Sequence, residues 1–417
     1  MDGELSMGAR VEITKKYATA YRRASKKDKG QILHQVCSVT GWSRDNARRR
    51  LIDAGRAGTT VSKMDRRKRR PAKYSLQARN VLTRVWAVSG GQCGKYLAVS
   101  LPALLDSLEN HDELVHGSHD YSPGVRSELE AMSAATIDRY LAPARATDQL
   151  RGISTTKAGA LLRSSITIRK AGDEVEAEPG FFEGDTVAHC GPTLRGEFAR
   201  TLNLTCVHTG WGFTASMRNN ASVWVLQTMN TAVATIPFAV IGLDFDNGSE
   251  FMNHDLIDWA GTRRIYFTRS RPYKKNDQAT IESKNNHLVR KYGFYYRYDT
   301  AEELALLNRL WPLVNDRMNY FTPTKKPIGW GQDSNGRRRR IYDVPATPLD
   351  RLLAAGVLSP AQETELRNRR DRLNPAELAR DIHRYQAKLT GLAKDKTDRL
   401  RATLPPAIPH PRGIKVS

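Results

Sequence analysis

The stretch VIGLDFDNGSEF, residues 240 to 251, sets an almost wholly apolar run against two aspartates and a tight turn. A short, nearly continuous apolar run is the mark of a strand covered on both faces, and Asn-Gly directly after it turns the chain. FAVIGLDFD therefore reads as a strand inside a sheet packed on both sides, with Asp246 at its end. Acids are unusual company here, because the 417 residues include 66 Lys and Arg against 44 Asp and Glu, a formal net charge of +22.

Outward from that run the period of the pattern keeps changing. Upstream, FFEGDTVAHC reads as a strand, and ARTLNLTCVHTG and WGFTASMRN read as two more joined by the hairpin signal TGWG. ASVWVLQTMNTAVATI has helical spacing, which puts Val223, Leu226, Met229, Val233 and Ile236 on the expected inner face. Downstream, NHDLIDWAGT reads as a helix, RRIYFTRS as a strand and DQATIESKNNHLVRKYG as a helix ended by Gly293. The order predicts a mixed sheet with flanking helices over 178–330.

Charge divides the chain. Residues 1 to 100 hold 23 Lys and Arg against 7 Asp and Glu, whereas residues 181 to 250 hold 3 against 6. The basic part suits a polyanion such as nucleic acid. Within 1–62, Ile32, Leu33, Val36 and Val39 recur at helical spacing, TGW interrupts, and Ser43 caps RDNARRRLIDAG, which Gly55 ends. Two helices about a Gly-containing turn make a helix-turn-helix pattern. Arg44, Asn46, Arg48 and Arg49 are its candidate contacts to bases and phosphates. Arg66, Arg67, Lys68, Arg69 and Arg70 lie in a basic linker, 63–74, suited to tracking phosphates.

The remainder is organised as follows. Residues 75–150 read as a second helical, helix-turn-helix-like domain in which Ser133 caps a helix carrying Thr136, Arg139 and Tyr140, with Arg139 a candidate DNA contact. Residues 151–177 read as a polar linker and 331–417 as a basic, mostly helical tail that includes RRRR at 337–340. The expected class is thus a multidomain α and α/β protein. Cys37, Cys93, Cys190 and Cys206 have no C-x-x-C spacing, so reduced thiols are expected instead of disulfides or a zinc site. His111, His116 and His119 read as solvated loop residues. Neither a secretory leader nor a run long enough to cross a bilayer is legible, which predicts a bacterial cytoplasmic protein, nucleoid-associated when bound to DNA, with no membrane partner.

Three acids stand out by placement. Asp185 lies in the first strand of the α/β region, Asp246 at a strand end and Glu282 on a helix, with 35 residues between the last two. Carboxylates converging at one sheet edge repel each other unless cations join them, and hard divalent ions with oxygen ligands, Mg²⁺ or Mn²⁺, are the natural partners. Glu183 and Asp244 stand two residues earlier and share the strand faces of Asp185 and Asp246. Either could substitute for its neighbour, and the family resemblance described next favours Asp185 and Asp246.

This constellation resembles the DDE catalytic core of retroviral integrases and bacterial insertion-sequence transposases. Asp185 in GDT, Asp246 in DNGSEF and Glu282 in KKNDQATIESKNNHLVRKYG carry the likeness, which covers about 178–330. The zinc-binding His and Cys pairs of retroviral integrases are missing, which places the chain nearer the bacterial transposases. The resemblance implies a ribonuclease-H-like fold and two Mg²⁺ (or Mn²⁺) ions held by Asp185, Asp246 and Glu282, the catalytic triad. It also implies cleavage at transposon ends and strand transfer into target DNA. The implied partners are double-stranded DNA, further copies of the chain on that DNA, and an accessory transposition protein. Lys274, Lys275, Lys284, Asn285 and Arg290 are the candidate DNA contacts near the site. The rival reading is a non-catalytic helix-turn-helix DNA-binding regulator with an inactive integrase-like core; a nuclease that cuts without joining is a further one.

Overall fold

A computed structural model describes residues 6–55, 73–146, 167–169, 178–245, 251, 254–270, 285–332 and 336–403. The chain divides into two compact units, Met1–Lys73 and Tyr74–Ser417.

The first unit holds three helices, α1 (Met7–Arg23), α2 (Lys26–Thr40) and α3 (Arg44–Gly55). Ser6 and Ser25 cap the first two by accepting the amides of Ala9 and Asp28. Gly41, at φ 69°, ends α2 in the left-handed region and returns its amide to the Cys37 carbonyl at 2.9 Å. Tyr21, Leu33, Val36, Ala47 and Leu51 make the core. Of the expected stripe on α2, Leu33 and Val36 are buried and Ile32 packs beside them, but Val39 is 52% exposed. The buried residues of α1 are Thr14, Ala18 and Tyr21, so its inner face carries little aliphatic signal.

The second unit opens with α4 (Leu76–Val88), α5 (Gly94–Asn110), α6 (Pro123–Glu130) and α7 (Ala134–Ala146). Leu82, Val85, Leu101, Leu104, Leu129 and Ile137 are buried among them. Gly94 starts α5 where a Cβ would stand 2.2 Å from the Ala134 carbonyl, so only glycine lets α5 approach α7 this closely. These helices and the α/β region share one hydrophobic cluster, so residues from Tyr74 onward fold as one body.

The sheet comprises β1 (Thr167–Arg169), β2 (Phe181–Ala188), β3 (Arg200–Cys206), β4 (Gly212–Met217), β5 (Gly242–Phe245) and β6 (Tyr266–Ser270), in the order β1-β6-β5-β2-β3-β4. β2, β3 and β4 are antiparallel neighbours, whereas β5 pairs parallel with β2 and with β6. The crossovers are α8 (Ser222–Thr235) and α9 (His254–Thr262). This is the mixed sheet with flanking helices that the sequence order implied, with β1 added at one margin.

The two faces of the sheet differ. Phe182, Leu204, Phe213, Leu243 and Phe245 share one face by register and pack with Val225 and Met229 of α8 and Leu256 of α9. The expected inner face of α8 is rotated: Val225, Thr228, Met229 and Ala232 are buried, whereas Val223 is 62% exposed. A helix apolar on most sides carries no sharp directional signal, and packing chose the stripe. The opposite face of the sheet is polar yet buried, with Glu183, Thr201, Asn203, Thr205, Thr214, Ser216, Asp244 and Thr268.

Covering that polar face are a π-helical run, Asn285–Arg290, a short α10 (Lys291–Gly293) and α11 (Ala301–Asp316), which a second π-helical run, Arg317–Phe321, continues. Asn308 accepts the Ser216 amide and donates to the Ser216 carbonyl, at 2.8 and 2.9 Å. Asn315 donates to the Thr214 carbonyl, and Asn319 holds both backbone groups of Gly212 at 2.8 Å. Spaced along one helix face, these amides satisfy the outward backbone groups of β4.

Beyond lie a hairpin, β7 (Pro327–Gln332) with β8 (Arg338–Tyr342), then α12 (Pro348–Ala354), α13 (Pro360–Arg372) and α14 (Pro375–Ala402). The arginine run at 337–340 enters a strand, which a mostly helical reading of this region did not foresee. Leu378, Ile382, Leu389 and Ala393 of α14 are buried, and Ile382, Leu389 and Ala393 pack with α11 residues. No described helix is long and apolar enough to cross a membrane.

Candidate active site

Asp185 stands on β2, in the middle of the sheet, because EGDT continues a strand whose even positions fill the apolar face and whose odd positions point the other way. β5 runs parallel to β2 with Glu183 opposite Asp244 and Gly184 opposite Phe245. β5 therefore ends one residue short of the level of Asp185. Gly184 makes this contact possible, since a Cβ there would stand 2.2 Å from the Phe245 ring.

The Asp185 carboxylate is partly buried. Its Oδ1 accepts the Thr186 amide at 2.7 Å, and its Oδ2 accepts Asn285 Nδ2 at 2.5 Å. Asn285 Oδ1 in turn accepts Asn203 Nδ2 at 3.1 Å, and Asn203 faces Asp185 in register on β3. Thr214 Oγ1 stands 3.5 Å from Asn203 Oδ1. This row of polar groups orients Asp185, and the partners named here are oxygen donors and amides, a setting that suits a hard cation such as Mg²⁺ or Mn²⁺.

The two alternative acids sit deeper. Glu183 is 3% exposed and Asp244 fully buried, and Thr268 Oγ1 donates to Asp244 Oδ1 at 2.7 Å. Asp185 is the most exposed of these three acids. Among the described residues, no group of three or more His, Cys, Asp or Glu is arranged to hold a metal ion. Asp246 and Glu282 lie outside the described residues. In sequence, Asp246 directly follows Phe245 and Glu282 stands three residues before Asn285.

The expected DNA contacts have different fates. Arg44, Arg48 and Arg49 are exposed on α3, and the partly buried Asn46 accepts from Arg49 at 3.5 Å. Arg139 is exposed on α7. Arg66, Arg67, Lys68, Arg69, Arg70, Lys274, Lys275 and Lys284 lie outside the described residues. Arg290 is partly buried: it donates to the Ala188 carbonyl at 3.0 Å and packs on the Tyr295 ring, and burial draws its pKa below the usual guanidinium value. Its guanidinium is committed to holding the end of β2.

Next to it, His189 is fully buried, with Nε2 2.6 Å from Thr201 Oγ1. Burial, helped by the Arg290 charge, holds its pKa well below the ordinary histidine value, so the imidazole is neutral. Thr201 contacts Ser216 Oγ at 2.7 Å, and Trp311 Nε1 donates to that same oxygen at 2.7 Å. Asn203 and this chain of side chains escaped the sequence reading. The alternation of Thr201, Asn203 and Thr205 with Leu202, Leu204 and Cys206 was the available signal. It shows one polar face, but not that a helix covers it. A separate cavity of about 690 Å³ along β4, lined by Trp224, Asn308, Asn315 and Arg369 among others, includes none of these acids.

No family model matches the chain. The uncharacterized protein y4rM of Sinorhizobium fredii is 35% identical over 353 residues, 84% of this chain and 97% of that protein. This chain belongs to the y4rM family. Among solved structures, the y4rM-family chain is similar to the catalytic core domain of BIV integrase, at 14% identity and a TM-score of 0.29, covering 45% of this chain and 98% of that one. It is also similar to the HTLV-2 integrase catalytic core domain in complex with magnesium, at 13% identity and a TM-score of 0.23, covering 28% and 72%. A chain of the simian T-cell lymphotropic virus intasome in complex with PP2A regulatory subunit B56 gamma matches at 14% identity and a TM-score of 0.29, covering 53% and 83%.

Proposed function

We propose that the chain is a metal-dependent polynucleotidyl transferase, a transposase that cuts at the ends of a mobile DNA element and joins them to target DNA. One observation carries the reading. Asp185 lies on an inner strand of a sheet that contains the order β6-β5-β2-β3-β4, the ribonuclease-H-like order, and two of the undescribed stretches, 246–250 and 271–284, adjoin Phe245 and Asn285 in the chain. Phe245 pairs next to Asp185 and Asn285 hydrogen-bonds it. In the sequence Asp246 directly follows Phe245, and Glu282 stands three residues before Asn285.

In this reading Asp185, Asp246 and Glu282 hold two divalent ions. When bound, these ions supply a clamp on the attacking and leaving oxygens of an in-line displacement at phosphorus. Asn285 and the Thr186 amide keep the Asp185 oxygens aimed, and Asn203 keeps Asn285 in place. The buried polar face beneath adds no titrating side chain of its own at His189, which stays neutral. Helices α2 and α3 form a helix-turn-helix whose exposed Arg44, Arg48 and Arg49 bind duplex DNA. Several copies assemble on two DNA ends, with an accessory transposition protein as a further partner.

The test uses purified full-length protein, Mg²⁺ and duplexes drawn from the DNA bordering its coding region. Wild type cuts and joins; Asp185→Asn, Asp246→Asn and Glu282→Gln bind the duplex but do neither. Metal-independent cleavage, or full activity in the Asp185 variant, refutes the proposal. Cutting without joining would leave the nuclease reading.

A further inference from the structure

The hairpin of β7 and β8 is exposed along nearly its whole length, including Ile328 at 64%, Trp330 at 53% and Tyr342 at 46%. Between Lys325 and Tyr342 the sequence KKPIGWGQDSNGRRRRIY holds six basic residues and one acid. Among the described residues no ion pair involves Arg338, Arg339 or Arg340, and a row of unpaired guanidiniums is repelled by itself unless a polyanion meets it.

The ribbon also orders these cations. Register puts Trp330 opposite Arg340 and Gln332 opposite Arg338. The Arg338 and Arg340 guanidiniums lie 4.1 and 5.3 Å from the Trp330 ring centroid, so the indole restrains both on one face. On the other face β7 presents Gly329 and Gly331, with open space beyond Gly329. The root is fixed: Arg351 of α12 pairs with Asp343 and donates to the Thr324 carbonyl at 2.6 Å, and Thr324 and Ala346 exchange backbone bonds. A two-stranded ribbon clamped at its base, with Arg338 and Arg340 on the Trp330 face and Arg339 opposite Gly331 on the other, is the kind of element that a major groove of about 12 Å admits.

We infer that this ribbon is a contact for double-stranded DNA, with Arg338, Arg339 and Arg340 on phosphates flanking a groove. The inference rests on the reading of the chain as a protein that acts on DNA. It adds a contact site separate from α3. Clustered positive charge argues against a second copy of this chain as the occupant, since two such ribbons repel.

The experiment measures binding of the full chain to a labelled duplex by fluorescence anisotropy over a series of salt concentrations. Replacing Arg338, Arg339 and Arg340 together by Ala lowers the slope of log affinity against log salt by about 2 to 3, the value for three phosphate contacts. The corresponding triple Lys variant keeps most of the slope, which shows that the loss follows charge and not folding. An unchanged slope in the Ala variant overturns the inference. So does an equal loss on single-stranded DNA, or a change in solution mass without any change in DNA binding. If the wild type binds duplex with the ribbon-dependent slope but never cleaves, the ribbon contact stands and the transposase reading falls.

Discussion

Asn285 donates its side-chain amide to Asp185 at 2.5 Å, joining residues 100 positions apart in the chain. The acid on the central strand is thereby held by the first residue of the segment that follows the stretch containing Glu282. An amide is a good choice for this position, because it donates to a carboxylate without adding charge that would compete with a cation.

On the proposed reading, Asp185→Asn removes a hard anionic ligand while leaving the shape of the site. Metal-dependent strand cleavage is expected to fall by about 10³-fold or more, with duplex affinity unchanged. Single-turnover cleavage beside anisotropy on the same duplex checks both halves.

Asn285→Ala takes one hydrogen bond from Asp185 Oδ2 while the Thr186 amide still holds Oδ1, and on the proposed reading it removes no metal ligand. The expected result is a rise of about 10- to 100-fold in the Mg²⁺ concentration for half-maximal cleavage, the scale found when a partner of a ligand is lost. Saturating Mg²⁺ should recover much of the rate, unlike in Asp185→Asn.

Replacing Arg48 and Arg49 together by Ala tests α3. Both are exposed, and the helix packs through Ala47 and Leu51, so folding should survive. Duplex affinity is expected to weaken and the salt slope to drop by about 2. Equal slopes would remove α3 from the DNA interface.

Asn319 is 3% exposed and satisfies both backbone groups of Gly212. Asn319→Ala strands a buried donor and a buried acceptor, at about 1–3 kcal/mol each. A lower urea midpoint with normal far-ultraviolet circular dichroism is expected; an unchanged midpoint would show that water replaces the amide.

His189 supplies a pH test. Its folded pKa lies well below the ordinary value because of burial and Arg290, whereas the unfolded chain titrates near about 6.5. The native state therefore binds fewer protons as pH falls through that region. Its contribution is fully present above about 6.5 and is lost progressively at lower pH. Tyr298 packs against the imidazole, and its hydroxyl is itself pushed up by burial, so it stays neutral throughout. His189→Gln should flatten the decline of the thermal midpoint between pH 7 and about 5.

The α/β region was legible from sequence because its strands are short apolar runs bounded by turn residues. The order of β2, β3, β4, α8, β5, α9 and β6 follows those punctuation marks. What periodicity cannot show is which neighbour covers an element. Val223 carries the same apolar signal as Val225, yet only the second meets the sheet. Helix α14 looked like part of a tail, but Leu389 and Ala393 are fully buried in the core on the polar side of the sheet. Asp185 was readable as a residue of a strand, and β2 holds it inside the sheet. Its dependence on Asn203 was not, since the two meet only through register and the intervening Asn285.

The asparagines laid along β4 have a consequence for how copies of the chain can meet. A free strand margin invites another strand to add to it, but here Gly212, Thr214 and Ser216 already spend backbone groups on Asn319, Asn315 and Asn308. Growth of one continuous sheet from protomer to protomer is therefore shut off at that border. A neighbouring copy that meets β4 must do so through side chains, without extending the ladder.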